Sequence, residues 1–159
     1  MIFVTVGSEL PFDRLVRVVD QWAGENRRTD VFAQIAETSL KPSFIAYKQF
    51  LEPAEFSERL AAASVIVSHA GMGTILSALR SEKPILVMPR RATLREVRNE
   101  HQLATAERLA AMGRITVALD ETELRATLDR IGELKPKEKI SPYAGPELVA
   151  ALRDFIAQR

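Results

Sequence analysis

The sequence predicts an α/β domain built on a doubly wound parallel sheet, and three observations carry that prediction. Short apolar runs rich in Val and Ile alternate along the chain with stretches whose apolar residues recur at helical spacing. Two of the runs, 65–67 and 84–89, are apolar without alternation, the pattern of strands covered on both faces. Glycine-bearing loops separate strand from helix at 7–11 and 68–74. Strands and helices in this order build a parallel sheet with right-handed crossovers and helices on both faces.

The first strand spans 2–6 and closes at Gly7, after which Phe12, Leu15, Val16, Val19 and Trp22 mark a helix. Residues 31–36 and 44–47 are weaker strand candidates, because alanine dilutes the first and Lys48 with Gln49 blurs the end of the second. Pro53 suits the first turn of a helix whose buried side is Phe56, Leu60 and Ala63. The strand at 65–67 leads through the Gly71 and Gly73 loop into a helix with Ile75, Leu76 and Leu79 as its stripe. Pro84 and Pro89 bracket the next strand, since proline can end a central strand but not occupy its middle. A helix over 99–112 carries Leu103, Ala106 and Ala110 and stops at Gly113. The last strand is 115–119. Asp120 with Glu123 starts a helix whose stripe is Leu124, Leu128 and Ile131 and whose stop is Gly132. A charged, proline-containing connector follows, and Leu148, Val149, Leu152, Phe155 and Ile156 describe an amphipathic helix opened by Gly145 and Pro146. The expected organisation is one domain over 1–159, with its core at 1–132, a connector at 133–145 and a C-terminal helix at 146–158.

A chain of 159 residues can bury roughly 70% of its unfolded surface, so it needs no metal or disulfide staple. With 22 Lys and Arg against 21 Asp and Glu, the net charge of +1 disfavours nucleic acid as a partner. There is no cysteine, and His69 and His101 are the two histidines, so thiol nucleophiles and thiolate zinc sites are excluded and a metal site is disfavoured. The apolar run at 84–89 is far short of the ~18 residues of a membrane span, and the chain opens into a strand with no basic leader. A soluble protein is expected.

In doubly wound sheets ligands bind beyond the carboxyl ends of the strands, so the loops there hold the candidate chemistry. Gly7 and Ser8 offer bare backbone and a hydroxyl near a helix start, although an ordinary tight turn uses the same residues. His69, Gly71, Met72, Gly73 and Thr74 combine close backbone approach with free helix N–H groups, suited to a phosphate. The common fingerprints are incomplete: Leu76 stands where G-x-G-x-x-G needs its third glycine, and no G-K-[ST] follows. Two turn glycines beside a satisfied histidine account for the segment equally well. Arg90, Arg91, Arg95 and Arg98 could bind an anion or line a solvated loop. His101 and Gln102 could meet sugar hydroxyls or face water, and Phe50 with Leu51 could flank a flat base or lie in the core.

Taken together, residues 1–7, 69–74, 83–89 and His101-Gln102 resemble the glycosyltransferase family 28 C-terminal domain, the nucleotide-sugar half of the GT-B fold. The resemblance runs from residue 1 to about 132. It is closest to stand-alone versions: the small catalytic subunit of the eukaryotic dolichol-linked UDP-GlcNAc transferase and PssE-type exopolysaccharide subunits. The stretches 86–92 and 99–106 are most similar to a bacterial glucuronosyltransferase subunit. The resemblance implies a Rossmann-like domain in which Gly7, Ser8 and the loop 71–74 hold a diphosphate. It implies that Phe50 and Leu51 flank uracil and that His101 and Gln102 lie near the donor sugar. Where the two-domain peptidoglycan transferases carry a ribose-binding glutamate, this chain has Ser77, so Glu100 could share that task. Arg90 or Arg91 would pair with a glucuronate carboxylate.

The resemblance further implies an inverting, UDP-sugar-dependent hexosyltransferase with no metal and no cofactor, the UDP-sugar being a substrate. Its acceptor base would sit on a membrane-anchored partner chain that presents a lipid-linked sugar, which places the protein in the cytoplasm at the inner face of the membrane. Two other readings are a nucleotide-binding oxidoreductase, against which the broken glycine fingerprint counts, and a non-catalytic nucleotide-binding or regulatory subunit.

Overall fold

The computed structural model describes residues 1–137 together with Glu147, Ala150, Arg153, Asp154 and Ile156. Six strands form one all-parallel sheet: β1 (Ile2–Thr5), β2 (Val31–Gln34), β3 (Ala46–Lys48), β4 (Val65–His69), β5 (Ile85–Met88) and β6 (Thr116–Val117). Their order across the sheet is β3-β2-β1-β4-β5-β6, so the winding reverses between β1 and β4. In a doubly wound sheet that reversal opens the crevice where ligands bind.

The helices are α1 (Asp13–Glu25), α2 (Pro53–Ala62), α3 (Met72–Arg80), α4 (His101–Ala111) and α5 (Glu121–Leu128). Alternation along the strands sends side chains to two cores. Ile2, Val4, Val67, Leu86 and Met88 meet Leu15, Val16 and Val19 of α1 and Leu124 and Leu128 of α5. Phe3, Ile66, Ile85 and Val87 meet Leu60 of α2, Ile75 and Leu79 of α3, and Ala106 of α4. Both faces of the central strands are therefore covered, which is why their sequences are apolar without interruption.

Several boundaries differ from the sequence expectation. The third strand starts two residues late because it is an edge strand with every residue exposed, and Phe44 before it is 60% exposed over Gly24. Gly73 lies in the first turn of α3 rather than in a loop, and the stripe of that helix is Thr74, Ile75, Ala78 and Leu79, with Leu76 half-buried. Of the apolar face expected on α4, Ala106 is buried. Its predicted stop does hold: Gly113 has φ +66°. Asp120 caps α5 by accepting the Glu123 N–H at 2.8 Å, while Glu123 Oε2 accepts from the Leu119 N–H. That helix ends at Leu128, and Gly132 sits within a following 3-10 turn (Ile131–Glu133) rather than stopping it. The C-terminal helix expected over 146–158, with Leu152 and Phe155, lies almost wholly outside the described residues. No helix among the described residues is long and apolar enough to cross a membrane.

Candidate functional site

Beyond the carboxyl ends of β1 and β4, at the reversal point, two loops face each other. After β1 the chain turns at Gly7, whose φ of +82° is a left-handed conformation open to glycine at little cost. Its N–H donates to Thr5 Oγ1 at 3.2 Å, and Thr5 Oγ1 donates to the buried Gln34 Oε1 at 3.2 Å. After β4 the Gly71 N–H bonds the His69 carbonyl at 2.8 Å and α3 begins at once. The N–H groups of Met72, Gly73 and Thr74 have no acceptor among the described residues, and no side chain caps this helix end. Three donors and the helix dipole thus converge where an anion can sit.

His69 is wedged between the two loops. A Cβ on Gly7 would lie 3.0 Å from its Cε1, and one on Gly71 would lie 2.2 Å from its Nε2. Burial first, and then the charge of Arg90, lower its pKa from 6.5 to about 4, so the ring is neutral at physiological pH. Its Nδ1 is buried with no hydrogen-bond partner among the described residues. By contrast, nothing among the described residues lies within 4 Å of a Cβ built on Gly73. That glycine faces open space.

The space divides into two clefts. One, of about 450 Å³, is lined by Val6, Gly7, Ser8, His69, Gly73, Thr74, Arg90 and Gln102, with Glu9, Leu10, Gly71 and Val97 completing the wall. The other, of about 430 Å³, is lined by Gln34, Leu51, Pro53, Phe56, Ser57 and Ser77 together with Gly7, Ser8, Gly73 and Thr74. The four shared residues form a bridge between a polar cleft and a more apolar one. Ser77 donates to the Gly73 carbonyl at 2.8 Å, so its hydroxyl is tied to the helix beside that bridge.

Arg90 is 4% exposed, and its Nη2 donates to the carbonyls of Val6 (2.9 Å), Leu10 and Pro11 (3.4 Å). Gln102 accepts from the Arg90 N–H at 3.2 Å, which fixes the start of α4 against the end of β5. The segment between them is folded by two carboxylates. Glu96 is gripped by Arg14 at 2.7 and 2.8 Å and accepts from the Arg91 N–H. Glu100 accepts from the N–H groups of Ala92 and Thr93, with Arg91 Nε at 3.6 Å.

Of the residues expected at the site, Gly7, Ser8, Leu51, His69, Gly71, Gly73, Thr74, Ser77, Arg90 and Gln102 line one cleft or the other. Phe50, Met72, Arg91, Glu100 and His101 do not. Phe50 is 51% exposed rather than in the core, and Glu100 Oε1 accepts from two loop amides outside both clefts. Sequence reasoning missed Gln34, Pro53, Phe56 and Ser57. Gln34 had a signal, a polar residue closing an otherwise apolar strand. Among the described residues, no three of His, Asp and Glu are grouped so as to hold a metal ion.

Residues 1–145 match the glycosyltransferase family 28 C-terminal domain. A curated relative, the UDP-N-acetylglucosamine transferase subunit ALG13 of Eremothecium gossypii, is 37% identical over 83 residues, covering 48% of this chain. The chain spans 39% of that relative's length in the match. Among solved structures, the NMR solution structure of ALG13 aligns with TM-score 0.60 and 20% identity over 95% of this chain and 93% of that one. The glycosyltransferase of kitacinnamycin aligns with TM-score 0.60 and 21% identity, over 83% of this chain and 34% of that one. MurG of Acinetobacter baumannii gives TM-score 0.60 and 16% identity, over 82% and 41%. At these identities the structures show a shared fold: the Rossmann-like glycosyltransferase architecture with a parallel sheet between helices.

Proposed function

Because the chain belongs to the glycosyltransferase family 28 C-terminal domain family, we propose that it is the donor-binding catalytic subunit of an inverting, UDP-sugar-dependent glycosyltransferase. The observation that carries this reading is the pair of clefts joined across Gly7, Ser8, Gly73 and Thr74. A nucleoside diphosphate sugar has the same three-part layout. The uridine fits the cleft of Leu51, Pro53 and Phe56, the diphosphate lies over the shared bridge and the free α3 amides, and the sugar occupies the cleft of Val6, Arg90 and Gln102.

Transfer with inversion needs the departing diphosphate stabilised and the acceptor hydroxyl deprotonated. The α3 N-terminus does the first without a divalent cation, because its unpaired N–H groups are fixed before the charge develops. The base belongs on an acceptor-binding partner chain, a reading supported by the word subunit in the name of the ALG13 relative. We place that partner in the membrane, holding a lipid-linked sugar, with this chain bound peripherally at the cytoplasmic face.

The finer reading is transfer of glucuronate in exopolysaccharide synthesis. It is supported by the resemblance of residues 86–106 and by the buried cation Arg90 in the sugar-side cleft. Calorimetry with UDP in EDTA tests the site, and absence of both heat and thermal shift at millimolar UDP contradicts it. A donor screen on the chain reconstituted with its partner then tests the reaction. UDP binding without turnover by that pair would make this chain a nucleotide-binding interaction subunit instead.

A further inference from the structure

Arg90 is a buried cation that forms no salt bridge among the described residues, with the charges of Glu96 and Glu9 acting on it from a distance. The residue is 4% exposed, its guanidinium lies 5.2 Å from the Phe12 ring centroid, and its Nη2 is spent on the carbonyls of Val6, Leu10 and Pro11. Its Nε is buried with no acceptor, and no carboxylate of the described residues pairs with it. Glu96, on the same segment, is held by Arg14 through two short bonds, and Glu9 is exposed at the rim. Carbonyl dipoles solvate a guanidinium but leave its charge uncancelled, and arginine does not shed its proton in a protein. The neutral His69 beside it adds no negative charge. Gly73 and Thr74, whose N–H groups are unpaired among the described residues, line the same cleft.

We propose that Arg90 sets the charge requirement of the donor cleft: its counter-charge is an anionic oxygen of the ligand, phosphate or carboxylate, while its carbonyl contacts hold the β1–α1 loop for that ligand. This rests on the donor-site reading above and adds to it a positioning residue with two separable tasks. Holding the loop requires hydrogen-bond donors, whereas meeting the anion requires charge. A glutamine keeps the first in part and loses the second, whereas a lysine keeps the charge and loses the planar fork that reaches several loop carbonyls at once.

The test compares wild type with Arg90→Gln and Arg90→Lys. Affinities are measured for uridine by NMR and for UDP, UDP-glucose and UDP-glucuronate by calorimetry, and thermal shifts are followed with inorganic pyrophosphate. Loss of one desolvated charge-assisted contact predicts that Arg90→Gln weakens UDP by about thirtyfold while uridine changes by less than about threefold. Pyrophosphate should raise the Tm of wild type and of Arg90→Lys but not of Arg90→Gln. A loss confined to UDP-glucuronate relative to UDP-glucose would also support the proposal and assign the anion to the sugar carboxylate. Equal losses for uridine and UDP would overturn it in favour of loop-holding alone, as would no loss for any ligand. If wild type responds to pyrophosphate through Arg90 yet ignores UDP, the charge assignment stands and the nucleotide reading fails. If wild type binds UDP and Arg90→Gln binds UDP, UDP-glucose and UDP-glucuronate as tightly as wild type does, the reverse holds.

Discussion

The loop after β1 and the turn after β4 both carry glycine and both face the same crevice, yet they are held in place by different forces. The β4 turn is local: one backbone bond from Gly71 to His69 and the immediate start of α3 define it. The β1 loop is held from afar, by Arg90 more than seventy-five residues away in sequence. Their glycines also differ in purpose. Gly7 supplies a left-handed φ, Gly71 supplies room for the His69 ring at an ordinary backbone conformation, and Gly73 borders open cleft, where a Cβ would meet nothing within 4 Å among the described residues. The same residue type therefore answers to backbone strain, internal packing and an open cleft within one site, and each answer should give a different mutant phenotype.

Gly71→Ala should show the largest effect. Its Cβ would lie 2.2 Å from His69 Nε2, and Gly7 on the other side leaves the ring little room to yield, so overpacking should cost about 3 kcal/mol in a denaturant melt. Adding His69→Ala should recover most of that loss, and failure to recover it would separate the two residues.

Acid should break the same wedge. The His69 pKa is depressed from 6.5 to about 4, so between those values the unfolded chain binds a proton that the folded chain refuses. Stability is then fully present above about pH 6.5 and falls as pH drops toward 4, by up to about 3 kcal/mol at about 1.36 kcal/mol per pH unit. Melts of wild type and His69→Gln across that range check it: the variant should lack this part of the pH slope.

Gly7→Ala tests the other loop. A non-glycine residue held at φ +82° costs about 1–2 kcal/mol, measurable in the same melt. Gly73→Ala should do the opposite, raising stability by about 0.5–1 kcal/mol because alanine favours a helical turn, while weakening UDP binding through the methyl group in the cleft. Stability and binding moving in opposite directions would mark Gly73 as the ligand's glycine.

The elements that sequence reasoning placed well are those whose signal is local. The continuous apolar strands β1, β4 and β5 and the Asp120 cap follow from residues within a few positions of each other. The edge strand β3 was misplaced because none of its residues is buried, so no burial pattern could set its register. At the site, Gly7, Gly71 and Gly73 were legible as glycines after strands, but their three separate reasons were not, since that of Gly71 depends on where His69 points. The roles of Arg90 and Glu100 were illegible for the same reason. A charge run looks alike whether its members face solvent, loop carbonyls or loop amides, and only the fold brought Arg90 under Leu10 and Glu100 over Ala92 and Thr93.

The central claim is that a nucleoside diphosphate bridges the two clefts at the reversal of the sheet, and an NMR titration of the isotope-labelled chain with UDP in EDTA tests it most directly. The account predicts that the amides of Gly7, Ser8, Gly73 and Thr74 shift together, with Leu51 and Ser57 following from the nucleoside side, and that Gly73→Val removes the response while the protein stays folded. Shifts confined to residues away from both clefts, or an undiminished response in Gly73→Val, would contradict it.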